Sequence, residues 1–114
     1  MNLTDWLLEG DASVVYQVHR DLLRTDEKEL LSLQQRIANE GWCQRLLSLY
    51  DKQTSMWGGG VYGPKWISTT YTMLDLKNFA VDPNHEVYKR SMDFLIDQLW
   101  VLRDPKKPYM LGGC

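Results

Sequence analysis

The spacing of apolar residues constrains the fold of this chain more than any other feature of its sequence. Val14, Val18 and Leu22 recur at intervals of four, and the stretch 30–37 carries apolar residues in an i, i+3, i+7 series. Such intervals place side chains on one face of an α-helix. No stretch shows the sustained two-residue alternation with β-branched residues that is typical of a strand. The sequence therefore predicts an all-α fold built from helical hairpins.

Capping residues and helix breakers predict where these helices begin and end. Asp11 and Asp26 stand at N-cap positions, Gly10 and Gly41 interrupt the apolar pattern, and Asp82-Pro83-Asn84 is predicted to form a turn. Thr25 is an alternative start to the third helix. The predicted helices span residues 3–8, 12–23, 26–39, 42–50, 68–80 and 85–102.

The fourth and fifth helices differ in how their apolar residues are distributed. In the fourth helix Trp42, Leu46, Leu49 and Tyr50 cluster on one side, which predicts a single apolar side. In the fifth helix, over 68–80, apolar residues surround most of the circumference. This second pattern is typical of a helix that is buried between its neighbours.

Composition predicts an ordinary cytoplasmic domain. The chain has 114 residues, of which 44% are hydrophobic and 25% are charged, so we expect a single folded domain over 1–114. The net charge is -2, so the chain lacks the surplus of lysine and arginine that nucleic-acid binding needs. No apolar segment approaches the roughly 20 residues that cross a bilayer. We therefore predict no nucleic-acid partner and no membrane span.

Residue types that carry metal or cofactor chemistry are scarce and poorly spaced. Cys43 and Cys114 form neither a disulfide framework nor paired metal-ligand spacing. His19 has no second ligand one helical turn away, so a hydrogen-bonded or surface position is predicted for it. The stretch 58–63 satisfies G-x-G-x-x-G, but no strand precedes it and Pro64 follows. We predict no metal and no cofactor.

A loop rich in glycine and aromatic residues, 53–66, stands at the centre of the chain and takes part in a weak repeat. The glycine pairs that begin at Gly58 and Gly112 are 54 residues apart, and each pair follows a helix and a loop, over 41–59 and 85–113. A period of about 50 residues with two helices per unit suits stacked helical hairpins.

The same loop resembles a known motif. Leu49, Gln53 and Trp57, followed by glycines, resemble the QW motif of the prenyltransferase and squalene-oxidase repeat family, although Ser55 stands where the motif usually has glycine. That family includes terpenoid cyclases and squalene-cyclase-like bacterial proteins, and the resemblance covers about 41–102. It implies part of an α/α toroid.

The resemblance also implies roles for individual residues. Gln53 and Trp57, with Gly58 and Gly59, would form the structural element that joins consecutive hairpins. Aromatic side chains would wall a cavity for an isoprenoid or another apolar molecule, because such rings attract carbocations. The candidate substrate-binding residues are Tyr62, Trp66, Tyr71 and Asp75.

The catalytic elements of that family do not occur in the chain. An Asp-x-Asp-Asp cluster, a matching zinc-ligand set and an Asp-rich magnesium site are all missing from the sequence. Whether the chain is part of an enzyme is therefore left open. A terpenoid cyclase or prenyltransferase would have to supply its acids from outside this chain.

A non-catalytic helical module for protein interaction or self-association is the alternative function. A closed toroid needs more hairpins than this chain supplies, so the resemblance suggests a fragment with an open apolar edge. Such an edge would be covered by a continuation of the chain, by a second copy in a homo-oligomer, or by another protein.

Overall fold

The computed structural model describes residues 2–98, and over this range the chain forms six α-helices. They are α1 (Leu3–Leu8), α2 (Ala12–Asp21), α3 (Glu27–Asn39), α4 (Gly41–Ser48), α5 (Thr69–Asn78) and α6 (Glu86–Ile96). No β-strand occurs within residues 2–98, where β-structure is limited to two isolated bridges in the loop after α4. The all-α prediction is confirmed.

Side-chain caps fix the starts of the first three helices. Asp11 accepts a hydrogen bond from the Ser13 amide and Asp26 accepts one from the Glu29 amide, both at 2.9 Å. Asn2 caps α1 in a reciprocal pair with Asp5. These are the N-cap roles that the sequence predicts for Asp11 and Asp26, because capping depends only on neighbouring residues.

Helix ends are less well predicted than helix starts. α2 ends at Asp21 and α4 at Ser48, each two residues before the predicted end. The predicted end of the last helix near Leu102 lies outside the described residues. The same holds for the second glycine pair of the weak repeat, so that repeat stays a prediction.

Asp11 connects α4 to α2 through one carboxylate. Its Oδ2 accepts a hydrogen bond from the Trp42 amide at 2.9 Å, while Oδ1 accepts the bond from Ser13. Burial acts to raise the pKa of Asp11, but the bonds from Trp42 and Ser13 outweigh it and hold that pKa below its usual value. Gly41 permits the contact, because a Cβ there would lie 2.0 Å from Oδ2.

The helices pack mainly against their neighbours along the chain, and the result is a row. The main pairs in contact are α1 with α2, α2 with α3, α3 with α4, α4 with α5, and α5 with α6. A row of this kind is typical of stacked helical hairpins, while closure into a toroid stays a prediction.

Three glutamine side chains connect the α2–α3 hairpin to the end of α5 and the turn that follows it. Gln17 donates to the Asn78 carbonyl at 3.2 Å and Gln34 to the Ala80 carbonyl at 3.1 Å, while Gln35 donates to the Asp82 carboxylate at 2.8 Å.

One continuous hydrophobic core connects helices α2 to α6. It is formed by Tyr16, Ile37, Cys43, Trp57, Met73, Leu76, Val81 and Leu95.

The buried faces of α4 and α5 differ from the expected ones. In α4 the buried residue is Cys43, fully inaccessible, whereas Trp42 and Leu49 are 68% and 57% exposed. Burial raises the pKa of the Cys43 thiol to about 11. In α5 the side with Met73 and Leu76 is buried, while Leu74 is exposed. Apolar spacing alone does not decide which side is buried, because burial depends on the neighbours that the helix meets.

Ser91 offers a direct test of core packing. It is fully buried in α6, and within the described part of the chain its hydroxyl has no hydrogen-bond partner. Replacing Ser91 with alanine removes this unsatisfied group and improves helix propensity, so we expect the free energy of unfolding to rise by about 1 kcal/mol. Chemical denaturation measures the change.

The control for this test is Ser32→Ala, at an exposed position inside α3. It changes helix propensity by the same amount without touching a buried hydroxyl. A loss of stability in Ser91→Ala relative to Ser32→Ala would show that the Ser91 hydroxyl has a partner in the folded protein.

Candidate functional site

The loop between α4 and α5 is an ordered structure built from two tight reversals. In the first, the Asp51 amide donates to the Met56 carbonyl at 3.0 Å, and Ser55 has a φ of 61°. In the second, Gly58 and Gly59 have φ values of 59° and 73° and return the chain to Gly60. Ser55 thus adopts the left-handed conformation that favours glycine, at the position where the QW motif usually has glycine.

Three hydroxyl residues at the start of α5 hold the second half of this loop. The pairs are Thr69 with the carbonyl of Gly60, Thr70 with that of Val61, and Ser68 with that of Tyr62. Each threonine donates both its amide and its hydroxyl, at 2.8–3.0 Å. The first amides of α5 are therefore occupied by the loop.

Ser68 lies at the N-cap position of α5, but it does not act as a side-chain cap. Its hydroxyl donates to the carbonyl of Tyr62 and accepts no bond from an α5 amide. The loop carbonyls have taken over the capping of this helix.

Trp57 connects the end of α4 to the start of α5. It is 2% exposed, and its indole Nε1 donates to the Leu46 carbonyl at 2.8 Å. Its amide donates to the Thr69 hydroxyl at 3.0 Å, and its ring centroid lies 4.8 Å from that of Tyr50. Gln53 is exposed on the loop, and its backbone amide donates to the Asp51 carboxylate at 2.9 Å.

An apolar groove of about 400 Å³ lies between α4, the loop and α5. We refer to it as the α4–α5 groove. Trp57 forms its buried base, and a threonine and an aspartate reach it from α5. Its lining residues are Leu46, Leu49, Trp57, Gly58, Trp66, Ile67, Thr72 and Asp75.

The wall of the groove that comes from the loop depends on a close contact at Gly58. A Cβ at this position would lie 2.5 Å from the Ile67 carbonyl oxygen and 2.9 Å from its carbon. Because Gly58 has no side chain, the first and last parts of the loop can meet. Trp66 and Ile67 of the loop line the same groove as Leu46 and Leu49.

Three aromatic rings at this wall contact one another at tilted angles. Tyr71 lies between Tyr62 and Trp66, with ring centroids 5.3 and 5.2 Å away. Trp66 is 70% exposed and has a φ of 74°, which is uncommon for a bulky residue. Strain of this kind persists where surrounding contacts impose it, and it is frequent at ligand sites.

The structure brings together half of the residues that the sequence proposes for the site. The groove is lined by Trp57, Gly58, Trp66 and Asp75, whereas Tyr62 and Tyr71 support it through ring contacts, and Gln53 and Gly59 lie outside its lining. Sequence reasoning missed Leu46, Leu49, Ile67 and Thr72 as lining residues. The apolar side predicted for α4 contained the signal for the two leucines, but nothing in the sequence identifies Ile67 or Thr72.

Within residues 2–98, Asp75 is the single charged side chain that lines the groove. It is exposed, and within residues 2–98 its carboxylate forms no hydrogen bond or ion pair. Over the same range no group of three His, Cys, Asp or Glu side chains is placed to hold a metal ion. No helix in the described part of the chain is long and apolar enough to cross a membrane.

Comparison of the chain with protein families, with curated proteins and with solved structures gives no match.

Proposed function

We propose that this chain binds an apolar small molecule, such as an isoprenoid, in the α4–α5 groove. The observation that carries the proposal is the groove's mainly apolar lining, which includes two leucines, two tryptophans and an isoleucine. Its volume of about 400 Å³ falls within the roughly 300–1,000 Å³ of small-molecule sites. The apolar partner and the cytoplasmic location expected from the sequence are part of this proposal.

The exposed lining residues provide the driving force for such binding. Leu49, Trp66 and Ile67 are all more than half exposed in the structure. A ligand that covers them removes apolar surface from water, and covering one such side chain completely contributes about 1.5–3 kcal/mol. Trp57 already lies fixed beneath them by its hydrogen bonds, so the base of the groove needs no rearrangement.

Binding, rather than catalysis, is the activity that the groove itself supports. Asp75 is the single titratable group that lines it among the described residues, and general acid–base chemistry on an alkene or a diphosphate requires partners that set the acid's pKa. In the wider setting that the QW resemblance implies, the chain contributes one aromatic wall of a terpenoid cyclase-like or prenyltransferase-like cavity, and the catalytic acids come from elsewhere.

Nuclear magnetic resonance of the tryptophan indole groups tests the proposal with internal controls. Farnesol is titrated into the labelled chain, and each indole signal is assigned with a Trp→Phe variant. We expect the signals of Trp57 and Trp66 to shift while those of Trp6 and Trp42 stay in place, since only the first two line the groove. Unchanged Trp57 and Trp66 signals up to the solubility limit of farnesol would refute the proposal.

A pair of leucines offers a matched test of the binding surface. Leu49 and Leu22 are both helix C-caps in the right-handed region and are 57% and 61% exposed, but only Leu49 lines the groove. We expect Leu49→Gln to weaken farnesol binding by about tenfold through lost apolar contact. Leu22→Gln should leave the dissociation constant unchanged, and an equal loss in both variants would contradict the assignment of the groove.

Self-association is a second candidate function, favoured by the exposed side of α4. Trp42, Leu46 and Leu49 lie three or four residues apart and form one stripe along this helix. A second copy of the chain that packs on the stripe would cover Trp42. The distinguishing observation is a Trp42 indole signal that moves with protein concentration in the absence of any ligand.

A further inference from the structure

The α4–α5 groove combines an apolar body with one negative charge. Among residues 2–98 no lysine or arginine lines the groove, and over the same range the Asp75 carboxylate, which opens onto it from α5, has no cationic partner. Thr72, one turn earlier on the same helix, adds a hydroxyl group to the lining. A ligand with an anionic headgroup would place like charges together here.

The Trp66 ring provides a second attraction for positive charge. In the structure the ammonium of Lys65 lies 4.8 Å from the centroid of this ring. Tryptophan is the side chain whose π face attracts cations most strongly. Trp66 thus already attracts an ammonium group of its own chain, at the edge of a groove that also carries a carboxylate with no ion pair within residues 2–98.

From these two features we propose that the groove selects an amphiphile with a cationic headgroup, such as an alkyl ammonium, over neutral or anionic molecules of equal chain length. Asp75 and the ring of Trp66 hold the headgroup, while Leu46, Leu49 and Ile67 cover the hydrocarbon chain. This inference rests on the proposed binding function and specifies the class of ligand.

Three ligands that share an octyl chain test the selectivity. Octyltrimethylammonium, octanol and octanoate are titrated into the full chain, with the indole signal of Trp66 as the readout. We expect the ammonium ligand to bind about tenfold more tightly than octanol, from one ion pair and one cation–π contact at a partly exposed site. Octanoate should bind most weakly, and high salt should reduce the difference because it screens exposed charges.

Two aspartate variants locate the source of the selectivity. Asp75→Asn should bring the affinity for the ammonium ligand to within about twofold of that for octanol, because the ion pair is lost. Asp93→Asn removes the same charge from an exposed position of α6 outside the groove lining and should keep the tenfold preference. If the two substitutions had equal effects, the preference for the ammonium ligand would depend only on the net charge of the protein. That result would overturn the role of Asp75.

A variant of Lys65 tests whether the Trp66 ring attracts the cationic headgroup. Lys65→Met removes the ammonium that now lies near the Trp66 ring, so we expect octyltrimethylammonium to bind about twofold more tightly and octanol to be unaffected. Tighter binding of octanoate than of the ammonium ligand to the unmodified chain would overturn the proposal. Octanol binding without any preference for the cation would overturn this inference alone, whereas no binding by any of the three would overturn the proposed function as well.

Discussion

Replacing Gly58 with alanine is expected to lower the free energy of unfolding by about 3 kcal/mol, because two penalties combine at this residue. Its φ of 59° lies in the left-handed region, where a Cβ is unfavourable. The added Cβ would also lie 2.5 Å from the Ile67 carbonyl oxygen, a backbone atom that cannot rotate away. Urea denaturation followed by circular dichroism measures the loss.

Gly59 provides the matched control for this prediction. Its φ of 73° is equally left-handed, but a Cβ there would meet no atom within 4 Å. Gly59→Ala should therefore cost only the conformational part, about 1 kcal/mol. If the two variants lose the same stability, the close approach of Gly58 to Ile67 does not exist in the folded protein.

The contact at Gly58 also links stability to ligand binding. Ile67 can retreat from an added Cβ only if the loop wall formed by Trp66 and Ile67 moves relative to α4. Any Gly58→Ala protein that remains folded should then bind farnesol more weakly, whereas Gly59→Ala should bind it normally. The groove is thus a product of the loop's backbone path, and its aromatic side chains are insufficient by themselves.

The parts of the fold that depend on neighbouring residues could be predicted from the sequence. Asp11 and Asp26 cap their helices because a short acceptor side chain needs only an amide two or three residues ahead. His19 is hydrogen-bonded as expected, with its Nδ1 2.8 Å from the Thr25 hydroxyl. The all-α class follows from apolar spacing, which is likewise a local property.

The buried side of a helix could not be predicted in the same way, because it depends on which neighbours the helix meets. Trp42 and Leu49 belong to the apolar side of α4 by spacing, yet the core accepts Cys43 instead. Asp11 holds the start of α4 through the Trp42 amide, and this bond spans 31 residues. Periodicity contains no information about a contact over that distance.

The loop shows the same limit for the candidate site. The sequence predicts a helix that starts at Ser68, and α5 begins one residue later. The sequence does not reveal that the hydroxyls of residues 68–70 donate hydrogen bonds to the carbonyls of residues 60–62. The motif resemblance assigned Trp57 and Gly58 a structural role between hairpins, and both residues also line the groove. It did not identify Ile67, whose position depends on the path of the backbone.

Truncating Trp57 is expected to have the largest effect of any side-chain change in the groove. Its indole is 2% exposed, packs on Tyr50 and donates to the Leu46 carbonyl at 2.8 Å. Trp57→Ala removes this volume from the joint between α4 and α5, so we expect the free energy of unfolding to fall by about 4 kcal/mol. Denaturant titration measures the change if the variant folds. If it does not fold, a lower resistance of the variant to protease shows the loss of stability.

Two further tryptophan variants separate the contributions of the indole. Trp57→Phe keeps most of the apolar volume but loses the donor to Leu46, a carbonyl that the Leu49 amide still occupies at 3.1 Å. Its cost should be about 1–2 kcal/mol, well below that of alanine. Trp42→Ala removes an equally large side chain that is 68% exposed, and it should change stability by no more than about 0.5 kcal/mol. Equal losses at Trp42 and Trp57 would mean that the side of α4 with Trp42 is covered in solution, and self-association would then become the better account of this chain.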